Sequence, residues 1–237
     1  MEAMTRHVVV TGANRGIGRA LAEAFVANGD TVSTIYRGGD LPDGVTGAIA
    51  DVTDTDAVNA AFDELEAKHG RVRVLVANAG ITRDGLLMRM SDEDFTSVLD
   101  VNLTGTFRCV RRAVNSMMRE RFGRIVLVGS VVGLMGNPGQ VNYSSSKAAL
   151  VGMARSITRE VGSRGITANV IAPGFITTDM TDELPADTKK QYEATIPARR
   201  FGITQDVAAA AVFLASDEAG YVSGAVLPVD GGLGMGH

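Results

Sequence analysis

The sequence predicts one α/β domain organised on a parallel sheet, and three features carry that expectation. Short apolar runs alternate along the chain with stretches of helical spacing, the pattern of strand, helix and strand crossovers. A glycine turn, T-G-A-N-R-G-I-G over residues 11–18, joins the first run to the first helix. The later runs end in loops rich in Gly, Asn and Pro, where open α/β sheets place their ligands. With 237 residues and neither a Pro/Ser linker nor a block of like charge, residues 1–237 read as a single domain with ample core.

Residues 7–11 form the first strand signal, and Ile17, Ala20, Leu21, Ala24 and Phe25 then mark a helix face that stops at Asn28-Gly29. Gly12, Gly16 and Gly18 in the turn between them let backbone approach a diphosphate, and exposed N–H groups at the helix start favour negative charge. The next strand, 31–36, ends in Arg37 with no acidic residue before Asp40. A carboxylate at this tip would take the 2′-hydroxyl of NAD, whereas arginine suits a 2′-phosphate. Arg15 and Arg37 therefore favour NADP(H) over two merely solvated side chains.

Residues 48–51 read as a third strand. Its terminal Asp51 either accepts a bond from an adenine amino group or serves the following helix, a task for which Asp54 is better placed. Val58, Ala61, Phe62 and Leu65 give that helix its core face. Strand 72–77 leads into Asn78-Ala79-Gly80, a turn suited to brace a cofactor ribose. Residues 91–121 are helical overall, with Ser91 and Asp94 spaced as a capping box. Asn102 inside this stretch is either a buried amide satisfied by the protein or a kink that holds water beside Lys147.

Residues 125–128 form a buried strand closed by Ser130, and 133–139 are loop. A helix over 142–161 places Tyr143 and Lys147, four apart, on one face. A phenol has a pKa of roughly 10 and is a poor acid or base at neutral pH, but an adjacent ammonium or nicotinamide cation favours the phenolate. Lys147 is thus the tuning charge, Tyr143 the proton carrier and Ser130 the holder of a substrate oxygen. Strand 166–172 runs into Pro173-Gly174, a turn that sets the backbone of Ile176 against a nicotinamide carboxamide and Thr178 near the diphosphate. Residues 181–201 turn polar, with breaks at Pro185 and Pro197, and read as a substrate lid. Val207, Ala210, Ala211 and Leu214 restore a helix before a last strand over 225–229.

The totals narrow the function. A net charge of −4 gives no electrostatic case for nucleic acid. No apolar run could span a bilayer, and the start of the chain lacks a signal peptide pattern, so a cytoplasmic enzyme is expected. Cys109, the single cysteine, allows no internal disulfide and reads as a packed side chain. His7, His69 and His237 are not spaced for a metal. A serine hydrolase would need a base for Ser130, yet G-S-V-V-G is no G-x-S-x-G elbow.

Taken together, residues 11–18, Asn78-Ala79-Gly80, Asn102, Ser130, Tyr143, Lys147 and Pro173-Gly174 resemble the short-chain dehydrogenase/reductase family in order and spacing. Ala77 departs from it where many members carry asparagine. The resemblance implies a Rossmann-type, doubly wound parallel sheet of seven strands with helices on both faces. It also implies an Asn102-Ser130-Tyr143-Lys147 catalytic set and cofactor contacts from Gly12, Asn14, Arg15, Gly16, Ile17, Gly18, Arg37, Asp51, Val52, Asn78, Gly80, Tyr143, Lys147, Ile176 and Thr178. Within the family, I-T-R-D from Ile81, L-M-R-M from Leu87, P-G-F-I-T-T-D-M-T from Pro173 and F-L-A-S-D-E-A from Phe213 resemble the β-ketoacyl-[acyl carrier protein] reductases of fatty acid synthesis. The tail, 234–237, is similar to that of actinobacterial members acting on long acyl chains. The implied reaction is NADPH-dependent reduction of 3-oxoacyl-[acyl carrier protein], with carrier docking on Arg121 and Arg164 and a homotetrameric assembly. Reduction of another ketone by the same site, or a nucleotide-sensing module without catalysis, are the competing readings.

Overall fold

Three valines of β1 (His7–Thr11) set the layering, because side chains alternate across a strand. Val9 enters one core cluster, while Val8 and Val10 enter the other. In the computed structural model, which describes residues 5–178 and 185–235, six further strands follow. They are β2 (Thr31–Tyr36), β3 (Val45–Ile49), β4 (Val72–Ala77), β5 (Gly123–Val128), β6 (Ile166–Pro173) and β7 (Val226–Val229). All pair in parallel in one seven-stranded sheet of order β3-β2-β1-β4-β5-β6-β7. Strands β5 and β6 are buried along their whole length, as expected of parallel strands covered on both faces.

Helices α1 (Gly16–Ala27) and α8 (Thr204–Leu214) cover one face, through Leu21, Phe25, Val207 and Leu214. The other face packs under α2 (Thr55–His69), α4 (Thr106–Glu120) and α6 (Val141–Val161), through Phe62, Leu65, Met117 and Leu150. Helices α3 (Asp92–Leu99), α5 (Val132–Met135) and α7 (Ala186–Thr195) belong to the loops at the strand ends. Among the described residues no helix is long and apolar enough to cross a membrane.

Sequence order reverses between β1 and β4, and a crevice opens where the carboxyl ends of adjacent strands diverge in this way. Asn78 braces the gap. Its Nδ2 donates to Thr11 O at 3.1 Å and Gly12 O at 3.3 Å, while Thr11 Oγ1 accepts from Asn78 N and Ala79 N. Gly12 has φ +72°, and a Cβ on Gly18 would lie 2.1 Å from Gly12 O. Only glycine at both positions lets α1 start this close to β1.

Two expectations are corrected. The third strand is Val45–Ile49, not 48–51, because pairing with β2 from Val32↔Val45 to Tyr36↔Ile49 sets this edge strand; Asp51 therefore lies beyond it. The stretch 91–121 is helical as expected, with a π-helical turn, Asp100–Gly105, inside it. The capping box is half formed: Ser91 Oγ accepts from Asp94 N at 3.0 Å, but Asp94 Oδ2 takes the Ser91 hydroxyl instead of its backbone N–H. Asp54 caps α2 as expected, accepting from Asp56 N and Ala57 N. Residues 181–184 of the expected lid and 236–237 of the tail lie outside the described residues.

Candidate active site

The crevice at the switch point is a cleft of about 780 Å³. Every residue expected to contact a cofactor lines it, apart from Tyr143 and Lys147. Ala79, Ile81, Val101 and Phe175 are among the other residues of the wall; their apolar side chains carry no chemical signature that would mark them in the sequence. Gly16 stands opposite Thr178, whose Cγ2 is 3.9 Å from where a Cβ on Gly16 would be. Arg15 and Arg37 are exposed on the rim, and Arg37 Nη1 is 3.8 Å from Asp51 Oδ2. Burial pushes the Asp51 carboxyl up, but hydrogen bonds from Thr53 and the charges of Arg37 and Arg108 outweigh it and hold the group below its usual value. That carboxylate is already engaged by Thr53 N at 2.9 Å and Thr53 Oγ1 at 2.8 Å.

Lys147 meets the cleft at Gly80, where a Cβ would lie 3.6 Å from Nζ. Its Nζ donates to Val128 O at 2.8 Å and lies 5.6 Å from the centroid of the Tyr143 ring. Ser130 stands close enough to the Tyr143 phenol to pull its pKa down. Strand β5 ends just before Ser130 and α6 begins two residues before Tyr143, so one strand-to-helix crossover supplies all three groups. The tuning differs from the expectation. Burial pushes the Tyr143 phenol up, the nearby Ser130 pulls it down and the Asp84 charge adds to the rise, with a net increase. Burial also pushes Lys147 down to about 8. Desolvation dominates at both groups, and Tyr143 keeps its proton, the form an acid requires.

Asn102 is the satisfied buried amide of the two alternatives. It sits in the π turn, a feature frequent at functional sites, and its amide is fully buried and bonded. Oδ1 accepts from Ile81 N at 2.8 Å, and Nδ2 donates to Ile81 O at 3.0 Å and Ser146 Oγ at 3.1 Å. Ser146 Oγ then donates to Tyr143 O at 2.7 Å. The amide thus clamps the loop after Gly80 to the helix carrying Tyr143. Sequence reasoning missed Ser146 and Asn142, whose Oδ1 accepts from Tyr143 N at 2.7 Å and whose Nδ2 donates to Arg83 O at 2.8 Å. Their signal was polarity at i and i+4 on a helix that otherwise faces the core.

Arg121 and Arg164 are exposed and adjacent: a Cβ on Gly165 would lie 2.7 Å from Arg121 O. They precede β5 and β6, whereas the cleft lies at the carboxyl ends of the strands, about 20 Å away at the usual rise per residue. Cys109 is buried and its thiol is pushed up to about 12 by burial, a packed side chain and no nucleophile. Among the described residues no cluster of His, Cys, Asp and Glu could hold a metal.

The family described as Enoyl-(Acyl carrier protein) reductase matches residues 12–234. The chain belongs to the short-chain dehydrogenase/reductase family. This reductase is 51% identical over 234 residues to 3-oxoacyl-[acyl-carrier-protein] reductase MabA of Mycobacterium avium, covering 99% of this chain and 92% of the relative. It is 50% identical over 234 residues to MabA of Mycobacterium tuberculosis, covering 99% and 95%. Identity to 3-oxoacyl-[acyl-carrier-protein] reductase FabG of Escherichia coli is 47% over 235 residues, covering 96% of each chain. The family's cofactor is a nicotinamide dinucleotide, and the residues of this short-chain dehydrogenase/reductase fit one. The first turn of α1 carries no acidic residue and no side-chain cap, leaving its N–H groups for an anion.

Proposed function

We propose that the protein reduces 3-oxoacyl-[acyl carrier protein] to the 3-hydroxyacyl thioester with NADPH, in fatty acid biosynthesis. The observation that carries this reading is Lys147 Nζ, 5.6 Å from the centre of the Tyr143 ring and reaching Gly80 at the edge of a dinucleotide-sized cleft, with Ser130 near the phenol. Relatives named for that reaction, half identical over nearly the full chain, support it. Bound, the cofactor supplies hydride to the β-carbonyl carbon. Ser130 orients the carbonyl oxygen, and Tyr143 gives that oxygen its proton. Lys147 holds positive charge beside Tyr143 and binds the ribose, while Asn102 fixes the π turn next to both and with water resupplies the proton. Arg15 and Arg37 select the 2′-phosphate, and the glycine turn with Thr178 takes the diphosphate.

Residues 1–237 act in this reading as one catalytic domain, with 181–201 as the substrate lid, in a cytoplasmic homotetramer. Exposed Phe107 and Met118 on α4 support association. The experiment is steady-state NADPH oxidation with an acetoacetyl thioester on the carrier, then with longer 3-oxoacyl chains, a 2-enoyl thioester and free ketones. Preference for the carrier-bound 3-oxoacyl substrate is the expected result. Turnover confined to the enoyl thioester or to free ketones would overturn the assignment.

A further inference from the structure

Arg124 stands at the amino end of β5 and is only 6% exposed. Its Nε donates to Ser216 O at 3.0 Å, and Nη1 donates to Gly123 O at 3.0 Å and Gly165 O at 3.3 Å. Nη2 is left over. Asp217 Oδ1 is 3.7 Å from it, on a side chain 83% exposed, which is beyond hydrogen-bond reach. Gly220 keeps the space beside Nη2 open, since a Cβ there would lie 3.5 Å from that atom. A second cation faces the same place. The Phe122 ring has the Arg124 guanidinium 4.3 Å from its centroid and that of Arg73 at 4.4 Å, so the two charges are no further apart than the sum of those distances. Among the described residues Arg73 pairs with no carboxylate, and its buried Nε has no partner. Thr167 is in register with Arg124 and therefore on the same face; it is 5% exposed, with Oγ1 unpartnered. Two of the four buried side-chain atoms without a partner among the described residues thus belong to this one spot.

We propose that Arg73 and Arg124 form a binding site for a phosphate-like oxyanion, at the end of the strands away from the cleft. Two like charges held together out of water are costly unless an opposite charge joins them. The acids at hand do not supply it. Asp30 is taken by Arg6, at 2.8 and 3.0 Å, and Asp217 and Glu218 are exposed. Burial pushes the Arg124 pKa down, Asp217 raises it, and the charges of Arg6 and Arg73 lower it further, for a net fall. Guanidinium forks match the oxygens of a phosphate, and charge-assisted bonds of about 2.8 Å let one tetrahedral ion reach both cations past the edge of the Phe122 ring. Phe122 adjoins Arg121, and Gly165 adjoins Arg164, so an acidic protein surface is the competing occupant. The near-complete burial of Arg124 favours a compact ion over a surface of that kind. The site does not depend on the reaction assigned to the cleft.

The test is titration calorimetry of inorganic phosphate into the whole protein with NADPH saturating, at an ionic strength held constant with chloride, and with glycerol phosphate in a parallel arm. The wild type should bind one of the two saturably. Preference between them tells a free dianion from the head group of a larger ester, and either result supports the site. Arg73→Gln should bind about tenfold or more weakly, the worth of a charge-assisted hydrogen bond. Arg73→Glu puts a carboxylate beside Arg124; without phosphate it should melt at a higher temperature than the wild type, and added phosphate should raise it no further. These contrasts hold whether or not the cleft takes NADPH. No saturable binding of either probe to the wild type, or equal affinity in Arg73→Gln, overturns the site. Absence of binding together with a raised KM of Arg73→Glu for carrier-bound substrate alone overturns it in favour of the acidic protein surface.

Discussion

The ammonium of Lys147 lies 5.6 Å from the centre of the Tyr143 ring while donating to Val128 O at 2.8 Å. Its burial lowers its pKa from 10.5 to about 8. The folded value lies below the unfolded one, so the cost of the buried charge is fully present below about pH 8 and fades as pH rises towards 10.5. Lys147→Met should therefore unfold at a higher temperature than the wild type at pH 7, yet lose about tenfold or more in turnover. In the wild type, kcat/KM for reduction should fall as pH rises through about 8, when the ammonium loses its proton. A profile flat to about pH 9.5 would contradict the role given to this charge.

Arg37 is exposed and its contact with Asp51, at 3.8 Å, is loose, so replacing it costs little stability. Arg37→Asp should weaken NADPH binding by about tenfold or more, the worth of a charge-assisted hydrogen bond, and narrow the preference over NADH. Fluorescence titration of both cofactors measures it. Equal affinities in the unmodified protein would remove the case for a 2′-phosphate site.

Arg121 and Arg164 stand at the end of the sheet away from the cleft, and a carrier docked there in the proposed reading would have to span that distance with its flexible arm. Reversing both to Glu should raise KM for carrier-bound substrate and reduce its salt sensitivity, with a small thioester analogue nearly unaffected. Equal damage to both substrates would place carrier docking elsewhere.

His7 is buried at the start of β1, with Nδ1 2.7 Å from Gly70 O and Nε2 2.5 Å from Ser33 Oγ. Burial pushes its pKa down, outweighing the Gly70 bond and the Glu66 charge that raise it; His69, its rings 5.4 Å away, lowers it further. Because the folded value is below the unfolded 6.5, its stability contribution is present above that pH and is lost as pH falls through the folded value. The urea midpoint should drop between about pH 7.5 and about pH 5.5, well above the range where Asp51 and Glu66 titrate. His7→Gln, which cannot titrate, should show a smaller drop. An unchanged slope would assign the dependence to another group.

Elements fixed by local pattern were legible in the sequence. Strands β1, β2 and β4 lie where their apolar runs put them, and the cofactor set lines one cleft because strand ends and Gly-rich turns mark it directly. Elements fixed by tertiary pairing were not. Edge strand β3 takes its register from β2, and the π turn at Asn102 has no periodicity of its own. The electrostatics of Tyr143 and Lys147 also escaped, since four-residue spacing reports that two groups meet but not how much water they lose.

The central claim is that Tyr143 gives the proton that completes carbonyl reduction. Its most direct test compares Tyr143→Phe with the wild type in NADPH oxidation by a 3-oxoacyl thioester, alongside NADPH binding. The variant keeps the ring beside Lys147 and removes only the hydroxyl. Turnover should fall by about 10²–10⁴-fold with cofactor affinity unchanged. Turnover close to that of the wild type would contradict the account.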